Sequence, residues 1–117
     1  AREEKARRND AFMRNFTFFD APHVAFLFMP QEHGLREAMD VGMYAQSLML
    51  SLTALGLGSC PQTSLGFHAD TVREVLSIDA SQKLLFGISF GYVDETAAAN
   101  RCRTPRATVA ENTHFYS

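Results

Sequence analysis

Between Leu35 and Leu55 the sequence sets Leu35, Met39, Gly42, Ala45, Leu48, Met49, Leu52 and Leu55 at helical spacing, and Gly56 follows as a natural stop. The polar residues Arg36, Asp40, Tyr44, Ser47 and Ser51 keep to one thin stripe, so apolar surface occupies most of the remaining circumference. Such a helix must be covered on several sides, by its own sheet and by a partner subunit. A bilayer is the other environment that accepts it, because Val41 to Leu57 is a run of seventeen residues without a formal charge, near the lower limit for a span. Against that stand Gln46, Ser47, Ser51 and Thr53 inside the run, Asp40 beside it, and flanks with neither a Lys/Arg cluster nor an aromatic belt. Burial against protein is the expectation.

Two apolar runs supply strands. His23–Met29, stopped by Pro30, suits a central strand covered on both faces, and Leu84–Val93 is a second buried strand interrupted by Gly87 and Gly91. Glycines inside a strand mark a bulge or a close approach of other atoms. Residues 1–15 read as a helix with a narrow apolar edge of Ala6, Phe12, Met13 and Phe16, ending near Asn15. The aromatic stretch Asn15–Pro22 then leads into the first strand, with Pro22 biasing Ala21 toward an extended conformation. Gly56–Gly66 is rich in turn residues, Asp70 or Thr71 can cap a short helix bearing Val72, Val75 and Leu76, and Ala107–Glu111 reads as a short edge strand.

Composition sorts the possible partners. With 46% hydrophobic and 21% charged residues the chain is an ordinary globular one, and eleven Lys+Arg against thirteen Asp+Glu give a formal charge of −2. That balance disfavours nucleic acid and anionic lipid as general partners. Two cysteines, Cys60 and Cys102, are too few for a disulfide scaffold and read as reduced thiols of a cytoplasmic protein. The charged opening, Ala1 to Arg8, has no apolar core of a secretory signal and no initiator Met, which suggests a chain cut from something longer.

Candidate chemistry lies in two places. Gly56-Leu57-Gly58-Ser59-Cys60-Pro61 starts like a dinucleotide fingerprint, but Pro61 stands where the third glycine belongs and the segment follows a helix. Gln62-Thr63-Ser64-Leu65-Gly66 lacks the first glycine of a nucleophile elbow. What remains is either an ordinary connection or a chain of unpaired backbone N–H groups around Thr63 and Ser64 that can donate to a flat heterocycle or an anion. Arg101, Arg103 and Arg106 are either a solvated tail or guanidinium forks for a phosphate monoester. Cys60 fits a small buried thiol better than a nucleophile with His68 as base. His23, His33, His68 and His114 show no metal-ligand spacing.

Asn15-Phe16-Thr17-Phe18-Phe19-Asp20-Ala21-Pro22, Asp40-Val41-Gly42-Met43-Tyr44-Ala45-Gln46-Ser47-Leu48-Met49-Leu50 and Gly56-Leu57-Gly58-Ser59-Cys60-Pro61 together resemble the FMN-dependent nitroreductase family in order and spacing. Phe86–Tyr92 and Arg103-Thr104-Pro105-Arg106 resemble its last core strand and basic C-terminal segment. The resemblance implies an α+β, nitroreductase-like three-layer fold: a mixed sheet flanked by helices, with the long central helix at a homodimer interface. It implies a single domain over residues 1–117, the C-terminal portion of the family's domain, since the N-terminal Arg-Ser-x-Arg type segment has no counterpart. It implies FMN as cofactor, with Pro61, Gln62, Thr63 and Ser64 along the isoalloxazine ring and Arg103 and Arg106 toward the phosphate. NAD(P)H would be the electron donor and a nitroaromatic or quinone the acceptor, with no acid/base dyad and no metal. The alternative reading is a truncated, non-catalytic dimerisation or flavin-binding module.

Overall fold

The computed structural model describes residues 2–116. α1 spans Arg2–Met13, and a 3-10 segment, Arg14–Asp20, follows it. Ala1, part of the expected first helix, lies outside the described residues. β1 (His23–Pro30), α2 (Leu35–Ala54) and β2 (Gly58–Gln62) come next, then a 3-10 segment Thr63–His68, α3 (Ala69–Leu76) and β3 (Gln82–Gly91). A 3-10 turn at Ala98–Arg101 and the short α4 (Val109–Asn112) lie in an otherwise irregular, exposed tail.

The sheet order is β1-β3-β2, so β3 and not β1 is the central strand. β3 wins that place by length and burial: Leu84, Gly87, Ile88 and Ser89 are all buried, whereas β1 carries mostly half-buried side chains. Both pairings are antiparallel, so within residues 2–116 the sheet is antiparallel rather than mixed. The β1–β3 register slips between Leu27 and Phe28 and leaves Leu85 as the extra residue of a bulge.

Alternation along β3 separates two covered faces. On one, Ile88, which is fully buried, meets Leu27 and Ala45 of α2, with Val41, Leu48, Met49 and Phe86 packed around them. On the other, Gly87 faces Leu65 and Phe26, and the rings of Phe18 and Phe26 meet edge to face at 6.1 Å. The result is three layers: α2, the sheet, and the two 3-10 segments with α3. α2 ends as its sequence demands, since Gly56 takes φ +77 and the Leu57 N–H returns to the Leu52 carbonyl at 2.9 Å. Its opposite flank stays uncovered, with Leu35, Met39, Met43, Tyr44, Leu50 and Leu55 exposed.

The lead-in to β1 keeps the extended Ala21 expected ahead of Pro22, at φ −68 and ψ 139, and reaches it through a left-handed corner, since Phe18, Phe19 and Asp20 adopt positive φ. Left-handed backbone costs an L-residue roughly 1–2 kcal/mol, and the corner is held by Phe18 on Phe26, by Arg14 over the Phe19 ring at 5.9 Å and by Arg14 to Asp20 at 3.4 Å. The turn-rich Gly56–Gly66 segment contains strand β2. Neither Asp70 nor Thr71 caps α3, which continues from the preceding 3-10 segment; Asp70 instead pairs with Arg73, whose Nη1 also donates to the Gln82 carbonyl. Ala107–Glu111 contains no strand, because the Glu111 carboxylate accepts from the Thr108 N–H and hydroxyl and starts α4. Among the described helices none is long and apolar enough to cross a membrane.

Candidate functional site

β2 lies at the sheet edge and pairs only with β3 among the described residues. Its composition explains the location. Pro61 has no N–H to give a ladder, so it fits a strand only where its nitrogen faces away from the neighbour. Pro61 pairs with Ile88 and Gln62 with Gly87, and the strand ends there. The 3-10 segment beginning at Thr63 leaves its first N–H groups, those of Thr63 and Ser64, without intrahelical acceptors. No backbone acceptor outside that segment takes either one among the described residues. The Thr63 and Ser64 N–H groups thus have no backbone partner among the described residues, at the point where β2 gives way to the 3-10 segment.

Exposure alternates through this stretch. Cys60, Pro61 and Thr63 are open to solvent, whereas Gln62 and Ser64 are buried. The Gln62 side chain turns inward to the opposite layer, where its Nε2 donates to the Asn15 carbonyl at 3.0 Å and to Asn15 Oδ1 at 3.2 Å. Gln62 Oε1 and Ser64 Oγ are buried without a hydrogen-bond partner. Leu65 is seated against Gly87, where an added Cβ would lie 2.5 Å from Leu65 Cδ1. Leu65 also lines an apolar hollow of about 380 Å³ with Phe16, Phe18, Phe26, His68 and Val72, in which Phe16 and His68 stack edge to face at 4.8 Å.

Electrostatically the rim is neutral: its donors are backbone groups, and no carboxylate lies between Gly58 and Ala69. Cys60 is exposed and not the buried thiol expected, because its strand lies at the sheet edge, yet partial desolvation still pushes its thiol up from its ordinary value, which suits an inert thiol and not a nucleophile. Arg103 and Arg106 are exposed in the tail, and Arg106 Nη1 donates to the Thr104 hydroxyl at 2.8 Å and to the Thr104 and Pro105 carbonyls. Of the six expected site residues, Pro61, Gln62, Thr63 and Ser64 are consecutive in the chain, and no hydrogen bond among the described residues joins Arg103 or Arg106 to them. Among the described residues no three His, Cys, Asp or Glu side chains are grouped to hold a metal ion.

The residue that sequence reasoning left without a role is Asn15, which supports the site through Gln62 across 47 positions of sequence. Its visible signals were an amide at the end of a helix and the first place in the Asn15–Pro22 motif, neither of which pointed to Gln62.

This stretch combines two backbone N–H groups without a backbone partner among the described residues, an exposed proline and two buried polar side-chain atoms without a partner. Relatives agree in shape. The chain is 56% identical over 98 residues to nitroreductase NfnB of Mycolicibacterium smegmatis strain ATCC 700084 / mc(2)155, a match covering 84% of this chain and 42% of that protein. It is 37% identical to 4-nitrobenzoate reductase of Pseudomonas putida, covering 86% and 44%. The crystal structure of the FMN-dependent nitroreductase NfnB from Mycobacterium smegmatis in complex with NADPH superposes with a TM-score of 0.94 at 49% identity, covering all of this chain and 52% of that one. The chain thus spans about half the length of the relatives it matches. The family model for the nitroreductase family matches residues 1–92, a stretch that holds all three sheet strands, α2 and the Pro61–Ser64 rim, and on these grounds the chain belongs to the nitroreductase family.

Proposed function

We propose that this chain is the flavin-facing portion of an FMN-dependent oxidoreductase of nitroreductase type. FMN, when bound, supplies two-electron transfer from NAD(P)H to a nitroaromatic or quinone. The observation that carries the reading is the pair of backbone N–H groups at Thr63 and Ser64, which have no backbone partner among the described residues and follow directly on the proline-bearing edge strand β2. These donors orient a flat ring and favour electron density at its edge, and the exposed Pro61 gives it an apolar neighbour. Arg103 and Arg106 supply the positive charge for the phosphate, Arg106 foremost, once the tail is drawn to the rim. No acid/base dyad is required of the protein, whose part is to position the ring and hold its surroundings.

The reading includes a homodimer, with a second copy covering Leu35, Met39, Met43, Leu50 and Leu55 on α2, since an exposed apolar face of that extent marks an interface. It also includes the cytoplasm, whose reducing conditions suit the two exposed free thiols. Support for the cofactor and substrates comes from the relatives, one described as FMN-dependent and bound to NADPH, another as a 4-nitrobenzoate reductase.

The test uses the whole protein that carries this chain. Its purified form should show an oxidised-flavin spectrum and oxidise NADPH with 4-nitrobenzoate or a quinone as acceptor. Arg106→Ala should weaken FMN binding about ten- to a hundredfold, the loss of one charge-assisted contact, and Arg101→Ala much less. A colourless protein with no saturable FMN binding would favour the non-catalytic module.

A further inference from the structure

We propose that Gln62 is the positioning residue of this site: its side-chain amide, anchored on Asn15, holds the Thr63 and Ser64 N–H groups in the direction that meets the flavin. The proposal rests on the FMN reading above and assigns Gln62 an internal role in place of a direct contact with the ring.

Gln62 is only 2% exposed, and its pairing with Gly87 sends its side chain to the sheet face opposite α2. There Nε2 donates to the carbonyl and to Oδ1 of Asn15, while Asn15 Nδ2 donates to the Phe12 carbonyl at 2.9 Å, near the end of α1. The two amides fix each other. Turning over the Gln62 amide would set Oε1 against two oxygens, and turning over that of Asn15 would set two NH2 groups face to face. The donors run in one direction only, from Gln62 to Asn15 to Phe12. On the other flank Leu65 fills the notch over Gly87. Thr63 and Ser64 are the only residues between these two anchors, so their N–H directions are set by side chains that do not reach the rim themselves. Donors aimed at a bound ring need placement within roughly 0.5 Å, and an edge strand without an outer neighbour does not provide that alone.

The experiment measures FMN titration, the bound-flavin absorption band and the midpoint potential in the whole protein, using Gln62→Leu, Gln62→Glu, Asn15→Ala and the Gln62→Leu/Asn15→Ala pair. Gln62→Leu should weaken FMN about tenfold, the loss of two neutral hydrogen bonds, and shift both band and potential. The paired variant should bind no more weakly than Gln62→Leu alone, because both changes cut one connection. Gln62→Glu supplies the discriminating readout. Its carboxyl, buried against two acceptors, has a raised pKa; below that pKa the protonated acid donates and FMN binds, above it the carboxylate is repelled and binding falls, while the unsubstituted protein stays flat over the same range. That profile decides the matter even if Gln62→Leu does not fold. If the unsubstituted protein binds no FMN, the functional reading fails. If it binds, and Gln62→Leu keeps its affinity, band and potential, or Gln62→Glu shows no pH dependence, or the paired effects add, the role of Gln62 is overturned and the reading of the rim stands.

Discussion

Gly87→Ala tests whether the layer carrying the rim is seated as described. The new methyl carbon would lie 2.5 Å from Leu65 Cδ1, 3.4 Å from Phe26 Cδ1 and 3.5 Å from the Ala25 carbonyl oxygen. Carbon atoms are comfortable at about 3.5–4.0 Å, so the Phe26 and Ala25 contacts are tolerable and the Leu65 contact is not. Leu65 has little room to yield, being 3% exposed. Overpacking of this kind costs about 1–3 kcal/mol, and the alanine returns about 0.4–1 kcal/mol by stiffening the unfolded chain. The steric term wins, leaving a net loss of about 1–2 kcal/mol, read as a lower urea midpoint with an unchanged slope. Leu65→Ala alone empties the notch and costs about 2–5 kcal/mol. Together the two changes are complementary, since the methyl at residue 87 occupies space that Leu65 has vacated. The double variant should therefore fall short of the summed losses by at least about 1 kcal/mol. Strict additivity would refute the seating of Leu65 on Gly87, and with it one of the two anchors of the rim.

Gly56→Ala should destabilise by about 1 kcal/mol through backbone alone, because φ is +77 and nothing lies within 4 Å of the added carbon; a urea midpoint equal to that of the unsubstituted protein would count against the α2 stop. Glu37, Asp79, Asp94 and Glu111 accept hydrogen bonds from neighbouring backbone or hydroxyl groups, chiefly backbone N–H for the two glutamates and the Ser81 and Thr96 side chains for the two aspartates, which lower their carboxyl pKa values. Their contribution is present above the ordinary values of 4.5 for Glu and 3.8 for Asp and fades as pH falls through the lower folded values; Glu37→Gln should flatten part of that acid limb in stability-versus-pH measurements. Cys60, its thiol pushed up by partial desolvation, should alkylate more slowly at pH 8 than an unstructured cysteine peptide, as followed by mass spectrometry.

Long periodic segments were legible because their burial follows their own pattern. α2 begins at the expected Leu35 and ends one residue before the expected Leu55, and the apolar runs of β1 and β3 became strands. Which strand is central was not legible, since an apolar run tells of burial and not of neighbours. β2 was hidden because Gly58-Ser59-Cys60-Pro61-Gln62 has little strand preference of its own; pairing with β3 makes it a strand. α4 was legible in principle, in Thr108 followed three positions later by Glu111, and β preference at Thr108 and Val109 masked it. In the candidate site, the N–H groups at Thr63 and Ser64 could be read from Pro61 and the glycines around it. The bond from Gln62 to Asn15 could not, because a contact across 47 positions leaves no local pattern.

The central claim is that the β2 rim receives the flavin through the Thr63 and Ser64 amides. Hydrogen exchange of those two amides in the whole protein, compared without and with saturating FMN, tests it most directly. The account predicts that both slow by about tenfold or more on FMN addition, the signature of donors that gain an acceptor, while the exposed amides of α1 are unchanged. Exchange at Thr63 and Ser64 that is the same with and without bound FMN would contradict it.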